Sequence, residues 1–310
     1  MLKIASKASG VIILVILILV VVFLCIEAFP SLTAGQDGLR DQIPWFANSG
    51  DHNIWEYSLP LLFSTILASL LALVIAVPLS IAVALFLTHY VPKKISSVFG
   101  SLIDLLAAIP SVVYGLWAVI VLVPHLSDVF TFLANNFGWI PLFRGPVSEP
   151  PRVLLTVSIV FAVMIIPIIT ALASEIYSQT PRLNTEAALA LGATKWESIK
   201  LSVLPFGRSG IISASMLGLG RALGETMAVL MILSPGHKFS LAVLMSGQHQ
   251  TIAGNIAANF PEAGSLGVSA LITTGLVLFL LTFVINYFAQ RIVALPVKKK
   301  SRRSRSERKH

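Results

Sequence analysis

Six apolar runs set the limits of what this chain can fold into. They lie at about 11–29, 59–87, 98–123, 153–173, 209–233 and 266–292. A helix needs roughly 20 apolar residues to cross a hydrocarbon core of about 30 Å. Inside that core no water can satisfy a loose N–H or C=O, so spanning segments must be helices or closed barrels. The short alternating strands of a barrel are absent, which leaves an all-α polytopic membrane protein with six transmembrane helices. Composition agrees: 56% of the residues are hydrophobic, 12% are charged and the mean hydropathy is +0.87, values that exclude an ordinary soluble domain.

Charge fixes the expected orientation. Lys3 and Lys7 precede the first run, which is too long for a signal peptide and lacks an Ala-x-Ala exit, so it reads as an uncleaved span. Residues 30–57 are acidic, with Asp37, Asp41, Asp51 and Glu56 against Arg40. Of the 22 Lys and Arg residues, Arg40, Arg144, Arg152 and Lys238 fall on that same side and Arg221 falls within a span; all the others lie with the termini. Basic residues stay on the cytoplasmic side, so both termini and the interruption at 179–206 are expected in the cytoplasm. The chain then divides into an N-terminal helix and outside loop at 1–57, a membrane core at 58–292 and a basic tail at 293–310. Beside a final span, such a tail signals orientation and contact with anionic lipid, and nucleic-acid binding is not indicated. The lone Cys25 allows no intrachain disulfide, and Leu24 before it is not the small residue of a lipoprotein site.

The interruption reads QTPRLNTEAALALGATKWESIKLSVLPF. Pro181 with Asn184 or Thr185 can open a helix over Glu186, Ala187, Ala188 and Leu189, and Gly192 can close it through a left-handed backbone. Thr194 and Glu197 have the spacing of a capping box, which starts a second helix carrying Trp196, Ile199 and Leu204 and bounded by Pro205. Two short helices joined by a glycine turn, tethered between spans, suit docking into a protein groove better than binding DNA.

One cation lies deep in a span. A central Arg costs about 2.5–3.5 kcal/mol to insert, which makes Arg221 a functional candidate. Glu225 follows at the spacing of one helical face, and Gly220 and Gly224 form a small-xxx-small pattern that lets a neighbouring helix approach closely. Two readings stay open. Arg221 and Glu225 neutralise each other, or Arg221 faces a central pathway and meets an oxyanion, which suits guanidinium geometry, while Glu225 orients it. Asp104, Glu175, Asn286 and Gln290 read as interhelical bonds or helix ends. The pattern of Pro110 and Gly115 in AAIPSVVYGLWA permits a kink in the third span. His52, His89, His125, His237 and His249 have no metal-type spacing, neither HExxH nor CxxC occurs, and no Walker A pattern is present, so no metal site and no ATP hydrolysis by this chain are expected.

Glu186, Ala187, Ala188, Gly192, Leu204 and Pro205 stand at the spacings of the EAA loop of ATP-binding-cassette importer permeases, EAA-x3-G-x9-I-x-L-P. Ser202 replaces the usual Ile, and Ile199 in the adjacent turn is expected to take its place. The segments AAIPSVVYGLWA and GRALGETMAV resemble the phosphate-specific transport permeases. The likeness covers about 55–292. It implies the type I, MetI-like importer fold, with the loop docking into a cytoplasmic ATPase, and it makes Arg221 and Glu225 the transport-critical pair. It also implies a sibling permease subunit, two ATPase subunits and an extracytoplasmic phosphate-binding protein. ATP and Mg would act at the partner ATPase, with no cofactor on this chain, in a bacterial or archaeal cell membrane. A permease for sulfate, molybdate or a phosphonate, and an ion-coupled secondary transporter or channel, are the alternatives; an intramembrane enzyme lacks its catalytic arrangement.

Overall fold

The computed structural model describes residues 2–294, so nearly all of the expected basic tail lies outside the described residues. The described regular structure is helical: α1 (Leu2–Thr33), α2 (Gln36–Gln42), α3 (Pro44–Ser49), α4 (Ile54–Leu85), α5 (Lys93–Ala107), α6 (Ser111–Trp117), α7 (Val123–Phe137), α8 (Leu154–Ser178), α9 (Arg182–Ala190), α10 (Lys195–Ser198), α11 (Leu204–Leu223), α12 (Met227–Ile232), α13 (Ile252–Asn259) and α14 (Ser265–Ala294), with a few short 3-10 and wider turns. Among the described residues five helical stretches are long and apolar enough to cross a membrane: Lys7–Thr33, Ile54–Tyr90, Ser111–Phe137, Leu154–Ser178 and Ser265–Val293. The sixth apolar segment is present but interrupted.

Helix α8 is the centre. Val157, Val160, Phe161, Ile165 and Ile169 are wholly or almost wholly buried. Its main neighbour, α4, presents Ala68, Ala72, Ala76 and Ser80 at helical spacing, all fully buried. Small side chains let the two backbones approach, and Ser80 Oγ donates to the Ile166 carbonyl at 3.2 Å. Helix α4 is opened by Asn53, whose side chain accepts the N–H groups of Trp55 and Glu56. With its wide last turn, Phe86–Tyr90, it covers 37 residues, about 55 Å at 1.5 Å per residue, so it tilts or projects beyond the core.

The third segment departs from expectation. It was expected as one span at 98–123 with a loop from 124; instead Pro110 separates α5 from α6, and the helical path continues through a wide turn, Ala118–Leu122, to Phe137. Proline supplies no N–H and biases Ile109 away from helix, which ends α5. Beyond it Val123, Leu126 and Phe130 are buried at helical spacing, so the polar residues among them do not stop the helix. Gly115 serves close approach: a Cβ there would meet Ala228 Cα and Met231 Sδ at 3.1 Å, where α6 crosses α12.

The fifth segment, expected as one span at 209–233, is α11 and α12 with a break at 224–226. Its start is more continuous than expected. Pro205 does not bound the second docking helix; α10 runs into α11 through the wide turn Ile199–Val203, where the Leu204 N–H reaches the Ile199 carbonyl. That turn re-routes the ladder just ahead of the residue that cannot donate.

Helix α1 is largely exposed but clasped to α14 at one end: Ser31 N–H donates to Ser269 Oγ at 3.0 Å, and Ser31 and Thr273 share a hydroxyl bond of 2.7 Å. At that end α2, α3, α13 and the loop 233–251 form a cap. There the His237 ring stacks on Tyr57 with centroids 4.6 Å apart, and its Nε2 lies 2.8 Å from Asp51 Oδ2. Tyr57 and Asn255 exchange a buried bond.

Candidate functional site

The segment from α10 through α11 carries two sites, one at each end. At the first, α9 closes in a double-bonded glycine motif: Gly192, at φ +85°, donates to the Leu189 carbonyl, and Ala193 donates to that of Ala188. The expected side-chain cap at the start of α9 is not formed, since its N-cap is Pro181 and no side chain bonds to it. The expected capping box is formed. Thr194 Oγ1 accepts the Glu197 N–H, and Glu197 Oε2 accepts from Thr194 N at 2.7 Å and from its hydroxyl at 2.8 Å. These bonds hold the Glu197 carboxyl below its ordinary range, the backbone donor contributing most.

The two faces of this unit differ. Ile199 and Val203 are buried with Ala84, Leu85, Ala173 and Tyr177, fixing the unit to the ends of α4 and α8. Ser198 Oγ donates to the Thr185 carbonyl and Ser202 Oγ to that of Asn184, both at 3.1 Å. Ser202 therefore stitches α9 to the following helix, a role that Ile could not fill. Trp196 is 53% exposed, whereas Ile199, carried on the same helical stretch, is buried. Leu183, Leu191 and Leu201 are also exposed, Leu191 to 90%, so the outward face is apolar at several points. Glu186 and Ala187 lie on exposed turns of α9, with Ala188 half-buried, and Leu204 and Pro205 begin α11.

At the other end, Arg221 lines a cavity of about 550 Å³ with Ser213, Met216, Leu217, Gly220, Ile168 and Asn286. A second cavity of about 310 Å³ shares Ser213, Met216 and Asn286 and continues past Gln290. Arg221 Nη1 is 3.5 Å from the Ala107 carbonyl, a weak contact that leaves most of its donors free for the cavity.

The same-face pairing of Arg221 and Glu225 is corrected. Helix α11 ends at Leu223 and Gly224 follows as its cap, so four residues no longer span one turn. Among the described residues Arg221 and Glu225 do not come within ion-pair distance of each other. Glu225 is 8% exposed, and its Oε1 accepts the Ala228 N–H at 3.2 Å at the start of α12. An acceptor there satisfies a backbone donor that the break would otherwise orphan.

No other helix of this chain packs closely on Gly220 or Gly224, the pair expected to admit a neighbouring helix. A Cβ at Gly220 would meet nothing within 4 Å, and one at Gly224 would meet only the Gly220 carbonyl. Close approach to α8 is made by Gly207, Gly210 and Gly218, where a Cβ would run into Tyr177, Ile176 and Ile169 at 2.6, 2.6 and 3.0 Å. Ser213 was missed although it sits eight residues before Arg221, with Leu217 and Gly220 between them at helical spacing. Asn286 and Gln290, expected as interhelical bonds, line the cavities. Asp104 lies on the exposed side of α5 outside any long span, and Glu175 accepts from Gln179 at the end of α8.

Residues 76–294 match the family model described as binding-protein-dependent transport system inner membrane component. The phosphate transport system permease protein PstC 2 of Mycobacterium tuberculosis is 44% identical over 293 residues, covering 94% of this chain and 90% of that protein. The phosphate transport system permease protein PstC of Mycobacterium leprae is 46% identical over 274 residues, covering 87% and 85%. Among solved structures, an inward-facing MetNI methionine ABC transporter aligns with a TM-score of 0.49 at 15% identity, covering 82% of this chain and 96% of that one.

Proposed function

Because the chain belongs to the binding-protein-dependent transport system inner membrane components, the permeases of ATP-binding-cassette importers, we propose that it forms half of a path carrying inorganic phosphate into the cell. The observation that carries this reading is the guanidinium of Arg221 in a largely apolar cavity whose other polar side chains are Ser213 and Asn286. Its fork of donors suits a tetrahedral oxyanion, and the two neutral side chains add hydrogen bonds without the charge that would retain it too long. Glu225 acts as a positioning residue, because it holds the break that ends α11 just past Arg221. The names of the relatives support phosphate over sulfate, molybdate or a phosphonate.

In this reading the loop 179–206 faces the cytoplasm and docks into one of two partner ATPase subunits, where ATP and Mg act. A sibling permease supplies the other half of the path. A phosphate-binding protein delivers to the opposite end, capped by α2, α3 and α13. Glu186, Ala187, Ala188, Gly192, Trp196, Leu204 and Pro205 form or shape the docking unit, whose exposed apolar residues need a covering partner. The test is reconstitution of the chain with its co-purifying subunits, followed by measurement of labelled phosphate uptake. Uptake is expected to require ATP and the binding protein and to vanish in Arg221→Ala while the complex still assembles. Uptake driven by an ion gradient without ATP would overturn the reading in favour of a secondary transporter.

A further inference from the structure

A third cavity, of about 410 Å³, lies where α9 and α10 meet the ends of α4 and α8. Lys93, Arg182 and Lys195 line it together with the hydroxyl residues Thr180, Thr185 and Ser198, and no carboxylate does. Among the described residues none of the three cations is in an ion pair. Lys195 Nζ lies 4.6 Å from the centre of the Tyr90 ring, which orients the cation without neutralising it. Thr180 is 9% exposed, and its Oγ1 has no hydrogen-bond partner. Thr180, a buried hydroxyl without a partner, shares this cavity with three solvent-exposed cations that have no ion-pair partner, an arrangement that suits an acceptor-rich, negatively charged ligand. The start of α9 adds to this, because Pro181 leaves its first N–H groups without a side-chain cap.

We propose that this cavity is a phosphoryl-group site, separate from the transport path, that takes either inorganic phosphate or the phosphate of an anionic lipid headgroup. Arg and Lys supply the charge, and the Thr180 hydroxyl supplies a hydrogen bond that a phosphate oxygen accepts, while Thr185 and Ser198 already donate to the carbonyls of Arg182 and Thr185. Basic hollows between membrane helices are known headgroup sites, so both sources share one chemistry. The ligand would bridge α9 and α10 to the ends of α4 and α8, fixing the docking unit relative to the spans. Only its placement on the cytoplasmic side rests on the functional reading above; the chemistry of the cavity does not.

The test uses the assembled importer in nanodiscs of phosphatidylcholine alone, in the Arg221→Ala background so that the path does not contribute. Inorganic phosphate is titrated while equilibrium binding and the unfolding midpoint are followed. Saturable binding is expected, weakened at least about tenfold in Lys93→Gln/Arg182→Gln/Lys195→Gln and several-fold in Thr180→Val, which leaves all charges in place. In a second arm the discs are rich in phosphatidylglycerol. If lipid is the physiological source, that lipid raises the midpoint of the parent but not of the triple variant, and it suppresses phosphate binding. If free phosphate is the source, binding persists in these discs. Equal behaviour of parent and triple variant in both arms overturns the proposal. So does a triple variant that responds to neither ligand differently but loses the ATPase on purification, because the basic cavity is then a protein contact. The readout is binding, so its failure leaves the transport reading standing, and loss of uptake with binding intact does the reverse.

Discussion

At the scale of single residues, Arg221 and Gly192 carry the clearest consequences. Arg221→Lys keeps the charge but replaces a planar fork with a point donor, and uptake is expected to fall by an order of magnitude or more, with the complex intact by size-exclusion chromatography. Normal uptake would remove Arg221 from the path. Gly192 sits at φ +85°, so Gly192→Val is expected to cost about 1–2 kcal/mol and to loosen the turn between α9 and α10, read as reduced co-purification of the ATPase. Both residues were legible in the sequence, one as a charge where charge is expensive and one as a glycine after a helical pattern. Their neighbours were not. Spacing alone put Glu225 on the face of Arg221, because a helix period holds only while the helix lasts, and Gly224, the cap that follows Leu223, read instead as half of a small-xxx-small pattern. Gly220 and Gly224 read as packing residues but meet no helix within this chain, whereas the glycines that meet α8 are identified only by what lies across from them.

At the scale of elements, the docking unit shows how much local chemistry can fix. The capping box and the glycine closure are written in short-range hydrogen bonds, so both were readable in the chain. Thr194→Ala is expected to remove about 0.5–2 kcal/mol of helix stability and, by freeing α10, to weaken ATPase stimulation; unchanged stimulation would detach the cap from coupling. Ser202→Ile, which restores the residue usual in the EAA pattern, removes the hydroxyl that donates to Asn184 and is expected to increase hydrogen exchange in α9. The bonds of Ser198 and Ser202 were not readable, because they join segments 13 and 18 residues apart whose relative placement is tertiary. The same limit applied to the third segment: Pro110 was recognised as a kink, but which side of it carries the membrane-length helix depends on the burial of Val123, Leu126 and Phe130.

At the scale of the whole molecule, the cap should respond to pH. Burial pushes the His237 imidazole below its ordinary range, outweighing the opposing pull of Asp51, and burial lowers His249 as well. The native cap therefore resists protons that the opened chain accepts near about pH 6.5. Its stability is full above that value and declines as pH falls toward the depressed native values. Hydrogen exchange in 34–53 and 235–250, corrected for intrinsic rates, is expected to speed up on acidification from about pH 7.5 to about pH 5, and to lose that dependence in His237→Gln/His249→Gln. The global plan was legible because a bilayer leaves apolar runs so few choices; the cap was not, since its polar contacts join residues nearly 200 apart in the chain, as in the bond between Tyr57 and Asn255. The unbroken path from α10 through the wide turn into α11 bears on the molecule as a machine. Residues 195–223 form one helical rod, roughly 40 Å long at 1.5 Å per residue, with Trp196 near one end and Arg221 near the other. A displacement delivered at the indole would cross no loop before reaching the guanidinium, and the first interruption it would meet is the break at 224–226 ahead of α12.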